Sequence, residues 1–177
     1  MKDKQYLDIQ AKAIWYVERY ATSSENLRKY LVRKVRDSHL SIGSAEIIDE
    51  IIREFQDQKI VNDKLFAEGK LRNLILRGWS INKSIYKLKQ LGISSRDIET
   101  CIDEMKKENS ELDLYAAARL VKKRSLGAFR RVEFNDKVKN KEFGIMSRAG
   151  FSYGICKKLL MDMKKEEIED KIVEYIS

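Results

Sequence analysis

The amino-acid sequence predicts an all-α fold, an elongated tandem array of three-helix, helix-turn-helix-like repeats, and three observations carry that expectation. The 177-residue chain has no proline, the residue that ends helices most abruptly and that turn-rich β folds use repeatedly. Its apolar residues recur at helical spacing nearly throughout, with no run of period-two alternation. One turn-and-cap pattern occurs three times along the chain.

Taken in order, the first helix spans roughly residues 6–20. Thr22 or Ser23 caps a second, about 24–36, that carries Leu27 and Leu31. His39 to Ser44 reads as a loop. A third helix, about 45–58, carries Ile47, Ile51 and Phe55, with Ile48 and Ile52 widening the stripe. Asn62-Asp63 reads as the N-cap of a fourth, about 63–77, that includes Leu65 and Phe66. Ser80 caps a fifth, about 81–91, with Ile81, Ile85, Leu88 and Leu91 in register. Gly92 suits the left-handed residue that ends it. Ser94-Ser95-Arg96-Asp97 is a capping box for a sixth helix, about 95–108. Helices follow at about 112–124 and, after a loop from Gly127 to Asp136, at about 137–148. Ser152 caps a ninth, about 152–163, with Ile155, Leu159 and Met163. Ile168, Ile172 and Ile176 mark a tenth, about 166–176.

The repeated pattern is Tyr20-Ala21-Thr22-Ser23, Arg77-Gly78-Trp79-Ser80 and Ala149-Gly150-Phe151-Ser152. Each ends one helix, turns, caps with serine and starts a short amphipathic helix. Trp79 and Phe151 precede the cap and are expected in the core, packing back as hydrophobic staples. Three helices bury too little apolar surface to be secure alone, so neighbouring units should support one another. The expected boundaries are residues 1–60, 61–110 and 111–177, the last with a basic helix and loop ahead of its repeat.

At 43% hydrophobic residues the chain has enough apolar surface to fold, and at 36% charged it has the large surface of slender helical units. The net charge is +8 and it is segregated. Between Arg119 and Lys165 stand 14 basic and four acidic residues, a net of +10. The expected basic face comprises Arg28, Lys29, Arg33 and Lys34 on the second helix with Arg119, Lys122, Lys123, Arg124, Arg130, Arg131, Lys157 and Lys158. Acids gather elsewhere, at Glu46, Asp49, Glu50, Glu54 and Asp57 and again from Asp97 to Asp113. Such a face suits the phosphates of single- or double-stranded DNA or an acidic protein surface, and like-charge repulsion predicts a monomer.

Cys101 and Cys156 are far apart, outside any C-x-x-C motif and at helical core spacings. That predicts a reducing, cytoplasmic compartment. The start of the chain, Met1 to Gln5, has no apolar signal core, and no segment has the length of a membrane span. The single histidine, His39, falls in a polar loop. There is no Gly-rich phosphate loop, no Gly-x-Ser-x-Gly elbow and no carboxylate cluster with metal-site spacing. The expectation is a protein that is not an enzyme and needs no cofactor.

Several pieces, in order, resemble the RecX family of RecA regulators. They begin with Ala13-Ile14-Trp15-Tyr16-Val17-Glu18-Arg19-Tyr20, then Ser23 and Leu27-Arg28-Lys29-Tyr30-Leu31. Ile60-Val61-Asn62-Asp63-Lys64-Leu65-Phe66-Ala67 is similar to the family's Leu-Asp-Asp-x-x-Phe-Ala stretch. Arg77-Gly78-Trp79-Ser80, Leu91-Gly92-Ile93, Ala116-Ala117-Ala118-Arg119 and Arg148-Ala149-Gly150-Phe151-Ser152 follow. The signature residues are therefore Asp63, Phe66, Ala67, Gly78, Trp79, Ser80, Gly92, Gly150 and Phe151. Asn26, where the family usually has glutamate, Val17 in place of leucine, and Val61-Asn62 in place of Leu-Asp depart from the pattern. The resemblance implies a regulator that lies in the groove of the RecA filament on DNA and lowers its ATPase and strand-exchange activities.

Two other readings of the residues stay open. One is a stand-alone helix-turn-helix-like DNA-binding module, although Glu99, Asp103 and Glu104 make the middle repeat's third helix acidic. The other is a helical protein scaffold without nucleic-acid contact.

Overall fold

The computed structural model describes residues 2–37 and 43–174, and places ten α-helices and no strand among them. They are α1 (Lys2–Val17), α2 (Ser24–Asp37), α3 (Ser44–Asp57), α4 (Asp63–Leu76), α5 (Ile81–Gln90), α6 (Ser95–Glu108), α7 (Leu112–Arg124), α8 (Asp136–Arg148), α9 (Tyr153–Lys157) and α10 (Lys165–Glu174). The fold is all-α, as the spacing of apolar residues requires. The loop around His39 and the last apolar position, Ile176, lie outside the described residues.

Two elements differ from expectation. Past α1 the chain runs on only as a hydrogen-bonded turn, Tyr20 N–H donating to the Tyr16 carbonyl at 3.0 Å. The ninth helix is not α throughout. After Lys157 it widens into a π-helical turn, Lys158–Asp162, closed by Met163 N–H on the Lys158 carbonyl at 2.9 Å. Leu159 and Leu160 are neighbours in sequence and both are buried.

The chain forms two compact units, Met1–Glu68 with Lys89–Ile98, and Gly69–Leu88 with Glu99–Ser177. In the first, α1, α2 and α3 pack on one another. Ile9 and Ala13 of α1, Leu27, Leu31 and Val35 of α2, and Ile47, Ile48, Ile51, Ile52 and Phe55 of α3 form its core. These are i, i+4 series, so each helix presents one apolar stripe to the other two. At the rim the Tyr6 hydroxyl donates to Glu54 at 2.5 Å. That hydrogen bond, with burial and the Glu54 and Glu50 charges behind it, pushes Tyr6 up to about 12.

In the second unit α7 is wrapped by α9, α10, the π-turn and a 3-10 turn at Gly127–Phe129. Leu112, Leu114, Tyr115, Ala116, Ala117, Ala118 and Val121 are all buried. A helix covered on several sides needs small residues to let its neighbours close in, and three consecutive alanines supply them. Gly78 marks one such approach. Its φ is +82°, and a Cβ there would meet the Leu120 amide nitrogen at 3.0 Å and the Ala116 carbonyl at 3.2 Å. Only glycine serves both the backbone angle and the gap.

The serine caps form where expected. Asn26 N–H donates to Ser23 Oγ at 3.3 Å, so Ser23 rather than Thr22 is the cap of α2. Lys83 N–H donates to Ser80 at 3.1 Å, Asp97 N–H to Ser94 at 3.1 Å, and Ile155 N–H to Ser152 at 3.4 Å. Asn62 caps α4 through Leu65 N–H at 3.0 Å. Asp63 does something else: it accepts a hydrogen bond from Ser24 N–H, at the start of α2, at 2.7 Å. Asp113, at the start of α7, accepts in the same way from Ile81 N–H, at the start of α5, at 2.7 Å.

Candidate nucleic-acid interface

Ala67, Ser80 and Phe151 are buried and Phe66 is half-buried. Gly78, Gly92 and Gly150 all have positive φ, at 82°, 78° and 91°, and each follows a helix end. Trp79 departs from its expected place. It is half-buried rather than a core residue, with the Lys83 ammonium 4.5 Å above its ring centroid. The exposed part of the ring forms a wall of a pocket.

That pocket, about 340 Å³, lies in the second unit. Arg77 reaches it from the end of α4, Lys83 from the first turn of α5, Lys123 and Arg124 from the last turn of α7, and Arg148 from the end of α8. No acidic side chain lines it. Among the described residues none of these five cations is in an ion pair. Three helix C-termini meet there, each worth roughly half a negative charge, which offsets part of the mutual repulsion. Five full charges against three such partial ones leave a positive surplus on a concave surface, the condition for concentrating an anion.

The remaining basic residues divide into groups with different surroundings. Arg28 pairs with Asp49 and with Glu25 at 3.7 Å, and Lys29 pairs with Glu25 at 3.6 Å. Lys122 donates to Glu169 at 2.7 Å. That hydrogen bond, with the Lys122 and Lys165 charges, holds Glu169 below the ordinary carboxylate range. Arg130 turns inward. Its guanidinium grips the buried Glu142 through Nε at 3.1 Å and Nη2 at 2.7 Å, and also donates to the Leu160 carbonyl. Arg119 is half-buried, 5.9 Å from the Tyr115 ring centroid. Arg131, Lys157 and Lys158 are exposed, Arg131 beside Lys165 and Glu169 in a depression of about 470 Å³. Arg33 and Lys34 border an aromatic cleft in the first unit.

Lys123 and Arg124 are thus the members of the expected basic face that the fold gathers into the acid-free pocket. Arg77, Lys83 and Arg148 stand outside the residues expected to form the basic face. A cation within two positions of the glycine in the repeated turn is the signal for Arg77 and Arg148. Among the described residues no three His, Cys, Asp or Glu side chains are placed to hold a metal ion, and no helix is long and apolar enough to cross a membrane.

No protein-family model matches the chain. A curated relative from Agrobacterium fabrum, "Regulatory protein RecX", is 32% identical over 163 residues, covering 89% of this chain and 84% of its own. One of the same name from Myxococcus xanthus is 27% identical over 156 residues, covering 84% and 81%. The crystal structure of RecX from Lactobacillus salivarius superposes with a TM-score of 0.68 at 18% identity, covering 97% of this chain and 99% of that one. A second, the crystal structure of regulatory protein RecX, gives 0.67 at 18% identity. At that identity the likeness speaks for the fold.

Proposed function

Because the chain belongs to the RecX family of regulatory proteins, we propose that it binds the RecA recombinase filament on DNA and lowers RecA ATP hydrolysis and strand exchange. It acts in the cytoplasm as a monomer, by binding and without catalysis of its own. Its three repeats, residues 1–60, 61–110 and 111–177, would engage the filament in turn. The observation that carries this reading is the acid-free pocket of Arg77, Lys83, Lys123, Arg124 and Arg148. A nucleoprotein polymer offers the complementary charge, as DNA phosphate and as acidic protein surface. Clustered like charges with no acid beside them disfavour the folded state. Such a cluster is better accounted for by a ligand than by stability.

The test is RecA on single-stranded DNA with ATP hydrolysis followed as the protein is added. Hydrolysis should fall as the protein approaches stoichiometry. The triple variant Lys123→Glu, Arg124→Glu, Arg148→Glu should inhibit at least about tenfold less well, the equivalent of about 1.4 kcal/mol, with unchanged helicity by circular dichroism. Unchanged hydrolysis with the unaltered protein would overturn the reading. Undiminished inhibition by the variant would remove the pocket from it.

A further inference from the structure

A second surface, in the first unit, has a different chemistry. Trp15 and Tyr16 of α1, Tyr20 of the following turn and Tyr30 of α2 line a cleft of about 740 Å³, within the roughly 300–1,000 Å³ of ordinary ligand sites. Tyr30 forms its floor and is buried. The Tyr16 ring stacks on it at 4.2 Å between centroids and 20° between planes. Trp15 lies nearly parallel to Tyr30 as well, at 6.3 Å and 12°. Yet Trp15 and Tyr20 remain 44% and 51% exposed. Core packing accounts for Tyr16 and Tyr30. It leaves two large aromatic rings facing water side by side, Tyr20 edge-on to Trp15 at 6.4 Å.

Cations accompany these rings. The Arg19 guanidinium sits over one face of Trp15, 4.4 Å from its centroid, where an incoming base must displace it, and Arg33 and Lys34 stand 6.0 and 5.9 Å from the centroid of Tyr30. Asp8, the single acid lining the cleft, is engaged by Lys12. Lys12, Arg33 and Lys34 against Asp8 make the lining net positive. A ligand that suits it must offer both a flat apolar face and negative charge. Unpaired nucleotides do both: every base has a π face, and phosphates alternate with the bases along the strand. An apolar helix would leave the cations uncovered, and duplex DNA keeps its base faces stacked away from protein.

We propose that this cleft is a binding site for single-stranded nucleic acid, with Trp15 and Tyr20 stacking on unpaired bases and Arg33 and Lys34 contacting the phosphates beside them. The site deepens the filament reading, from which it takes DNA as the strand concerned. It is tested without RecA.

Trp15 and Trp79 are the two tryptophans of the chain, so in a Trp79→Phe background, excited to the red of the tyrosine band, the emission reports Trp15. The probes are a short oligothymidylate and an abasic strand with the same number of phosphates. Oligothymidylate should quench Trp15 and bind about tenfold or more tightly than the abasic strand, as base–aromatic stacking implies. Tyr20→Ala should remove most of that difference, measured by anisotropy of labelled strands. Arg33→Gln with Lys34→Gln should weaken both strands alike. If Trp79→Phe does not fold, fluorotryptophan-labelled unaltered protein gives a separate fluorine resonance for Trp15, whose shift replaces quenching. Equal affinity for the two strands, or a Trp15 signal that neither strand moves, overturns the proposal. Should that happen while the protein still lowers RecA ATP hydrolysis, the cleft assignment falls alone. Base-dependent quenching without any effect on RecA would leave the cleft and remove the filament reading.

Discussion

Glu142 is 5% exposed, and its carboxylate accepts from Arg130 Nε, Arg130 Nη2 and the Gly127 amide. Arg130 is itself largely covered and stacks 4.6 Å from the Phe134 centroid. The pair fastens the 3-10 turn Gly127–Phe129 to α8. Burying two charges is expensive, and the return depends on both being present. Arg130→Met should therefore cost roughly 3–5 kcal/mol in urea denaturation, because it strands a buried carboxylate. Adding Glu142→Leu should recover most of that loss. A small effect of the single change would mean that water reaches Glu142 and that Arg130 is available for other contacts. In the sequence Arg130 and Arg131 are adjacent and indistinguishable. What separates them is an acid twelve residues away, which local spacing does not reveal.

At the scale of helices, one joint is built twice. Ser23 and Ser80 each cap the third amide of the helix that follows, and Asp63 and Asp113 each take the first exposed amide of the same helix. A serine cap closes over three residues and is legible by eye. The aspartates reach across 39 and 32 residues, so their partners emerge only in the fold. The same distinction covers most of what was and was not legible. Helix positions, the left-handed glycines and the caps follow from nearest neighbours, whereas the π-turn at Leu159-Leu160 and the half-exposure of Trp79 follow from what packs against them.

Asp113 makes the joint testable. Burial raises its carboxyl above the ordinary 3.8, against the opposing pull of the Ile81 amide and of Lys106. The folded chain then holds this proton to higher pH than the unfolded one. The group's contribution to stability is full below the unfolded value and is lost as pH rises through the folded value. Asp113→Asn keeps an acceptor for Ile81 N–H and removes the ionisation. It should match the unaltered protein at neutral pH or exceed it slightly, and flatten the pH dependence of the urea midpoint in the acid range. Asp113→Ala leaves the amide without its acceptor and should cost about 1 kcal/mol. Equal behaviour of the two variants would show that the hydrogen bond contributes nothing.

Over the whole molecule the +8 net charge is less informative than its division into neutralised and surplus cations. Arg28, Lys29 and Lys122 stand against carboxylates, whereas Lys123, Arg124 and Arg148 share a pocket with no acid. Only the second kind should release counterions in full when a phosphate arrives. For single strands each phosphate neutralised steepens the fall of log affinity with log salt by about 0.7. Neutralising Lys123, Arg124 and Arg148 should therefore make the slope shallower by about 2. Neutralising Arg28, Lys29 and Lys122 instead removes charges already balanced by Glu25, Asp49 and Glu169, and should change it by less than half as much. Anisotropy of a labelled strand across a salt series reads both slopes. A scaffold without nucleic-acid contact would bind its partner with no such slope. Equal changes from the two triple variants would mean that the surface acts as one diffuse positive field, and the pocket would lose its special standing.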